Sequence, residues 1–267
     1  MKIAIALCVY RGDRLDYLLA CVESLLSQGN NDYNIRIYVH IDGKINENIR
    51  DYLYSGVCYK IIESNDNVGL AKGLNKIIDV LEDEKYVLRM DADDIALPSR
   101  VRDQIEYMEK NPNIEFSGAS IKEFIGETEN VYIQRNYPST NEGIIKKIKM
   151  SSPFAHVTVC FKRDLLRKFK YPTNYPLNED IAFWYKLLSS GVCSGNLCKV
   201  TVLVRMTGAF HRRTFTKALS EFKVYLLVSK WQKSIPFYAI ARLFFRLLPA
   251  SVVELVYKSK LRKYLLG

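Results

Sequence analysis

The stretch Tyr86-Val-Leu-Arg-Met-Asp-Ala-Asp-Asp-Ile95 decides the reading of this chain: a short apolar run ends in three carboxylates, Asp91, Asp93 and Asp94. Carboxylates this close repel one another unless a cation neutralises them. Mg2+ or Mn2+ held by one or two carboxylates completes its shell with substrate phosphates. The same acids could form a solvated turn ahead of the helix that the pattern starts near Ser99. The rest of the chain has to choose.

Upstream, the apolar run 3–9 is followed by Leu15, Leu18, Leu19, Val22, Leu25 and Leu26 at helical spacing, then by a Gly- and Asn-containing break. Runs 35–41 and 57–62 read as a second and a third strand. Leu70, Leu74, Ile77, Ile78 and Leu81 mark a helix, and run 86–90 is a fourth strand. Strands alternating with helices predict a doubly wound, mainly parallel sheet that binds its ligand at the carboxyl ends of the strands. Tyr10, Asp42, Asp91 and Asp93 are thereby predicted to face one crevice. Neither G-x-G-x-x-G nor G-x-x-x-x-G-K-S/T occurs, which argues against a dinucleotide fold and a P-loop.

Downstream, runs 114–121 and 157–161 read as strands, and 198–206 as a further one. Residues 128–150 read as a polar, mobile connection. In Pro176-Leu-Asn-Glu-Asp-Ile-Ala-Phe-Trp-Tyr-Lys-Leu-Leu-Ser-Ser-Gly191, Asn178 is the expected N-cap of a helix with Glu179 and Asp180 in its first turn. Acids there commonly serve only as dipole partners.

With 267 residues and 48% hydrophobic content the chain can bury a full core. Its six cysteines lack zinc-site spacing and read as small hydrophobes in a reducing compartment. The apolar N-terminus is too short and lacks the cleavage pattern of a signal peptide, so a cytoplasmic protein is expected. The net charge of +10 lies wholly after residue 211: twelve Lys/Arg stand there against Glu221 and Glu254, leaving 27 of each sign in residues 1–211. This tail carries Phe237, Tyr238, Phe244 and Phe245, with Arg242 and Arg246 four apart. A basic stripe beside an apolar one suits an anionic membrane surface, against a helix packed on its own domain or a nucleic-acid patch.

Taken in order, Val9-Tyr10-Arg11, Asp42-Gly43, Asn67-Val-Gly-Leu-Ala-Lys-Gly-Leu-Asn75, Asp91-Ala-Asp93, Pro153-Phe-Ala-His156 and Asn178-Glu-Asp180 resemble the motifs of family 2 glycosyltransferases of the GT-A fold, over roughly residues 1–210. The chain is similar to the bacterial members that build O-antigen, capsule or exopolysaccharide units. The resemblance implies a GT-A catalytic domain over 1–211, its donor half about 1–121 and its mixed acceptor half about 122–211; the basic amphipathic helical tail over 212–267 lies outside it and is read from charge and amphipathicity alone. The resemblance also implies an inverting hexosyltransferase acting from a UDP-sugar on a lipid-linked saccharide, at the inner face of the cytoplasmic membrane and without nucleic acid. Tyr10, Asp42, Lys72 and Asp91 would contact the donor, and Asp93 would bind Mn2+ or Mg2+. Asp180 would be the general base, with Glu179 its alternative, and His156, Arg205 or His211 would line the acceptor side or the metal. The family often has two adjacent acids where this chain has Ile41-Asp42-Gly43. A sugar nucleotidyltransferase would share the sheet and the aspartates but would need a Gly- and Arg-rich loop after the first strand. A non-catalytic UDP-sugar- or membrane-binding module would not need Asp180.

Overall fold

The computed structural model describes residues 1–29, 32–126, 128, 130–206 and 214–247. A sheet runs through the molecule in the order β3-β2-β1-β4-β8-β6-β9-β5, with β7 on the far part of β6. Its first half is parallel: β1 (Lys2–Tyr10) lies between β2 (Asn34–Asp42) and β4 (Tyr86–Asp91), and β3 (Lys60–Ser64) closes the edge. Its second half is mixed. There β8 (Cys160–Lys162) runs antiparallel to β4 and β6 (Phe116–Phe124), β9 (Ser194–Arg205) is parallel to β6, β5 (Ile95–Ala96) is antiparallel to β9, and β7 (Val131–Arg135) is antiparallel to β6.

Alternation along β1 builds a core on each face of the sheet. Ile3, Ile5, Leu7 and Val9 point into one core with α1 (Leu15–Leu26), α2 (Glu47–Tyr52) and α4 (Arg100–Lys110). Ala4 and Ala6 point into the other, where small side chains let α3 (Leu70–Asp79) approach closely. That second core also takes in α5 (Asn141–Ile148), α6 (Arg163–Lys168) and α7 (Glu179–Ser189), whose Trp184 is fully buried and stacks on Phe116 at 5.6 Å. Along β4, Tyr86, Leu88 and Met90 join the first core and Val87 the second. By the same alternation Arg89 projects toward the face that carries α3 and α7.

Three expectations need correction. Residues 128–150 contain β7 and α5 rather than only a mobile connection, because Ile144 and Ile148, four apart, bury one helix face completely and Thr140 caps the helix on the Gly143 amide. The third strand starts at Lys60, later than expected, since residues 53–57 form a tight helical turn that ends through Gly56 at φ +96°. The strand expected at 157–161 is divided into a 3-10 turn over His156–Thr158 and the short β8. Of the cysteines, Cys21 and Cys160 are buried, whereas Cys198 is exposed.

The tail continues as α8 (Phe215–Trp231) and α9 (Phe237–Leu247). Val224, Tyr225 and Val228 of α8 and Ala239 of α9 are buried in the same core as Trp184 and Leu187. Arg242 and Arg246 turn inward. Both guanidinium groups hold Glu221 of α8, at 2.7 and 2.6 Å. The outward side of the hairpin carries Phe215, Leu219, Ile235, Phe237, Ile240 and Phe244, all exposed. No helix among the described residues is long and apolar enough to cross a membrane.

Candidate active site

The parallel register places Tyr10 beside Asp42 and Cys8 beside Asp91, so three expected site residues meet at the carboxyl ends of β1, β2 and β4. Tyr10 is exposed, and its ring lies over Gly12, where an added Cβ would stand 2.5 Å from the Tyr10 hydroxyl. An exposed ring at a strand end is a platform on which a planar base can stack.

Asp42 is buried, and its two oxygens accept from the amides of Val68 at 2.6 Å and Gly69 at 3.0 Å. The carboxylate thereby satisfies backbone donors at the start of α3 and complements its dipole. Gly43 follows at φ +82°, and a Cβ there would lie 2.9 Å from the Asn67 nitrogen, so the chain passes too close for any side chain. Asp42 thus shapes the loop 67–69 that borders the crevice. Lys72 stands exposed in the first turn of α3.

The three aspartates after β4 have different surroundings. Asp91 is gripped by both terminal nitrogens of Arg89, whose own side chain is only 5% exposed. Asp94 is buried and accepts from the Arg205 amide at 2.8 Å. Burial, followed by the charges of Asp91 and Asp93, pushes its carboxyl well above the usual range, which favours the neutral acid. Asp93 lies between them, partly exposed. Arg205 braces the turn: its Nε donates to the Asp93 carbonyl at 3.1 Å, and its guanidinium lies 3.8 Å from the Tyr17 ring centre and 4.6 Å from that of Phe124.

Among the described residues no three His, Cys, Asp or Glu side chains converge into a protein-only metal cage. A magnesium- or manganese-nucleotide site does not need one, because diphosphate oxygens and water complete the shell. Asp93 fits that arrangement, being partly exposed between an arginine-bound carboxylate and a buried one.

The other half of the site comes from α7. Asn178 precedes it without a side-chain cap bond; its amide group instead donates to the carbonyls of Pro176 at 3.3 Å and Lys217 at 3.1 Å. Glu179 and Asp180 follow. Burial raises the Asp180 carboxyl above its ordinary range against the Ile181 amide, Arg89 and Lys217, which pull it down. Burial and then the Asp180 charge raise Glu179 as well. Arg89 therefore acts on both halves, bound to Asp91 and felt by Asp180.

His156 has its Nε2 2.9 Å from the Tyr171 hydroxyl and sits edge-on to Trp184 at 5.7 Å. Burial, then Arg89, hold it well below the usual histidine value, so it is neutral. It buttresses α7. His211 lies outside the described residues. Sequence reasoning missed Arg89 and Lys217. Arg89 left a signal, a lone charge in an otherwise apolar strand; Lys217 left none, since only the fold brings it to α7.

The sequence profile of Glycosyl transferase family 2 matches residues 4–170. The amylovoran biosynthesis glycosyltransferase AmsE of Erwinia amylovora is 28% identical over 266 residues, covering 96% of this chain and 98% of the relative. An Escherichia coli UDP-Gal:alpha-D-GlcNAc-diphosphoundecaprenol beta-1,3-galactosyltransferase is 28% identical over 278 residues, covering 99% and 98%. Among solved structures, GalNAc-T7 with UDP, GalNAc and Mn2+ superposes with a TM-score of 0.66 at 14% identity, over 93% of this chain and 52% of that one. The likeness is one of fold. The chain belongs to glycosyl transferase family 2 and has the GT-A fold.

Proposed function

We propose that this glycosyltransferase moves a hexose, with inversion, from a UDP-sugar to a saccharide carried on undecaprenyl diphosphate, in the assembly of a surface polysaccharide. The observation that carries the reading is the pairing of two carboxylate sites through one buried cation: Arg89 binds Asp91 on the donor side and acts on Asp180 in the first turn of α7. The E. coli relative acts on a diphosphoundecaprenol-linked sugar, and the GalNAc-T7 structure holds UDP and Mn2+.

Uracil stacks on Tyr10, and the loop shaped by Asp42 and the first turn of α3 with Lys72 border the nucleotide. Asp91, held by Arg89, meets ribose or the donor sugar, and Asp93 holds Mg2+ or Mn2+, which when bound neutralises charge gathering on the diphosphate. Asp180 takes the proton of the acceptor hydroxyl. The acceptor oxygen bonds to the anomeric carbon as the bond from that carbon to the phosphate oxygen breaks, and its electron pair leaves with UDP. A single displacement inverts the centre. A carboxylate raised by burial is a stronger base than an exposed one, provided that it remains ionised, which Arg89 and Lys217 favour.

The enzyme works at the cytoplasmic face of the membrane. Because Arg242 and Arg246 are committed to Glu221, the lipid contact falls on the apolar side of the hairpin, with Phe215, Phe237, Ile240 and Phe244, supported by the lysines of the tail.

The test is a panel of UDP-sugars with N-acetylglucosamine and N-acetylgalactosamine alkyl diphosphates, read by mass spectrometry and by NMR of the new anomeric centre. One hexose added in β linkage from an α donor, with UDP released, is expected. Retention, use of a different nucleotide only, or pyrophosphate exchange of the nucleotidyltransferase kind would refute it.

A further inference from the structure

The tail lies beyond the segment matched by the family profile, yet the charge of one of its side chains, Lys217, acts on the proposed base. The side-chain amide of Asn178 donates to the Lys217 carbonyl at 3.1 Å, which locks the first turn of α8 onto the residue preceding Glu179 and Asp180. Thr214 caps that turn by accepting from the Lys217 amide at 3.2 Å. The position is therefore rigid.

One turn later on the same face, Glu221 is held directly by Arg242 and Arg246 and acts on Lys217 only through its charge. Lys217 is partly buried and makes no direct ion pair among the described residues. Burial, then Arg246, hold its ammonium below the usual lysine value. A partly desolvated ammonium without a bound anion is unfavourable by itself and gains when one arrives.

The charges that act most on Lys217 sit on α7, α8 and α9: Arg246, Asp180, Glu221 and Glu179. Asp180 feels Arg89 from the donor strand and Lys217 from the tail, so the base answers to one cation from each half of the molecule. A sugar whose hydroxyl meets Asp180 carries its anomeric phosphate roughly one pyranose ring away. Leu177 and Phe215, next to Asn178 and two residues before Lys217 in sequence, are exposed apolar side chains.

We propose that Lys217 binds the diphosphate of the acceptor, which makes α8 part of the acceptor subsite. This rests on the lipid-diphosphate acceptor proposed above. The experiment compares wild type, Lys217→Met and Lys217→Arg on two acceptors: alkyl N-acetylglucosaminyl diphosphate and the uncharged alkyl glycoside of the same sugar, with UDP affinity and thermal melting as checks of folding. The expected result for Lys217→Met is a tenfold to hundredfold loss, about the worth of one charge-assisted hydrogen bond, in the preference for the diphosphate over the glycoside. It should appear as a raised acceptor KM, and Lys217→Arg should recover most of it. If the wild type does not use the glycoside, the acceptor KM alone carries the comparison.

An equal loss on both acceptors would overturn the proposal and assign Lys217 to the Asp180 charge state. An unchanged preference, or an unchanged acceptor KM, would overturn it outright. Wild-type enzyme that ignores every diphosphate acceptor would refute the proposed function itself, and Lys217 with it; normal transfer by wild type with no effect of Lys217→Met would refute Lys217 alone.

Discussion

Glu221→Gln should unseat the tail. The Glu221 side chain is only 5% exposed and is the shared anion of Arg242 and Arg246. Removing one partner of a buried ion pair costs about 3–5 kcal/mol when the other is left buried and uncompensated. Here the arginines are 29% and 26% exposed, and Arg242 keeps two bonds to the Met150 carbonyl, at 3.0 and 2.7 Å, and its place 4.5 Å from the Tyr225 ring centre. A cost just below that range applies, about 2–3 kcal/mol, or roughly 4–12 °C in Tm for a chain of this size. Burial alone would raise the Glu221 carboxyl, but Arg246 and Arg242 more than reverse it, leaving it below its usual value. A depressed carboxyl contributes stability above its unfolded pKa, near about 4.3, and loses it as pH falls through the folded value. The gap between wild type and variant in urea and thermal unfolding should thus be full at pH 7 and close in acid. A loss under about 0.5 kcal/mol at pH 7, the range of an ordinary surface substitution, would refute the clamp.

Three further outcomes follow from the site. Asp180→Asn should lower kcat by about 10²–10⁴ with UDP affinity unchanged. Because burial raises the folded carboxyl, its ionised form is penalised at neutral pH and the penalty vanishes below the unfolded value, so the Asn variant should melt higher at pH 7 and no higher near pH 3. Asp93→Ala should abolish metal-dependent UDP binding, measured by calorimetry with and without Mn2+; full wild-type activity in excess chelator would remove the metal from the scheme. Gly43→Ala forces a side chain into φ +82° against Asn67, costing about 1–3 kcal/mol, and should weaken UDP binding by loosening the Asp42 loop while kcat changes little.

The parallel half of the fold and the aspartate turn were legible because both depend on local pattern: a continuous apolar strand, a helical stripe, a run of acids. The short α5 was not, since Ile144 and Ile148 stand among Asn and Lys residues and only the core they enter gives them weight. The tail shows the same limit in charge. Counting gave twelve cations and two anions, but Glu221 is buried and takes Arg242 and Arg246 out of the outward face. A net charge does not report which way its carriers point; one buried acid reverses the direction of two.

Arg89 explains why the three aspartates can coexist at a site proposed to bind an anionic diphosphate. Three free carboxylates would repel both one another and the donor. The buried guanidinium cancels Asp91 and burial keeps Asp94 toward its neutral form; Asp93, partly exposed, is the carboxylate proposed to hold the cation. The same guanidinium helps to keep Asp180 ionised where burial would protonate it, and it adds to the burial that keeps His156 neutral. One arginine in an apolar strand thus sets the protonation of groups on both sides of the crevice. Its alternation in β4 allows this, because Val87 and Arg89 point to the sheet face that carries α7, while Leu88 and Met90 point to the other. A shift of register by one residue would place the charge in the wrong core, carrying Asp91 with it, and leave Asp180 without it.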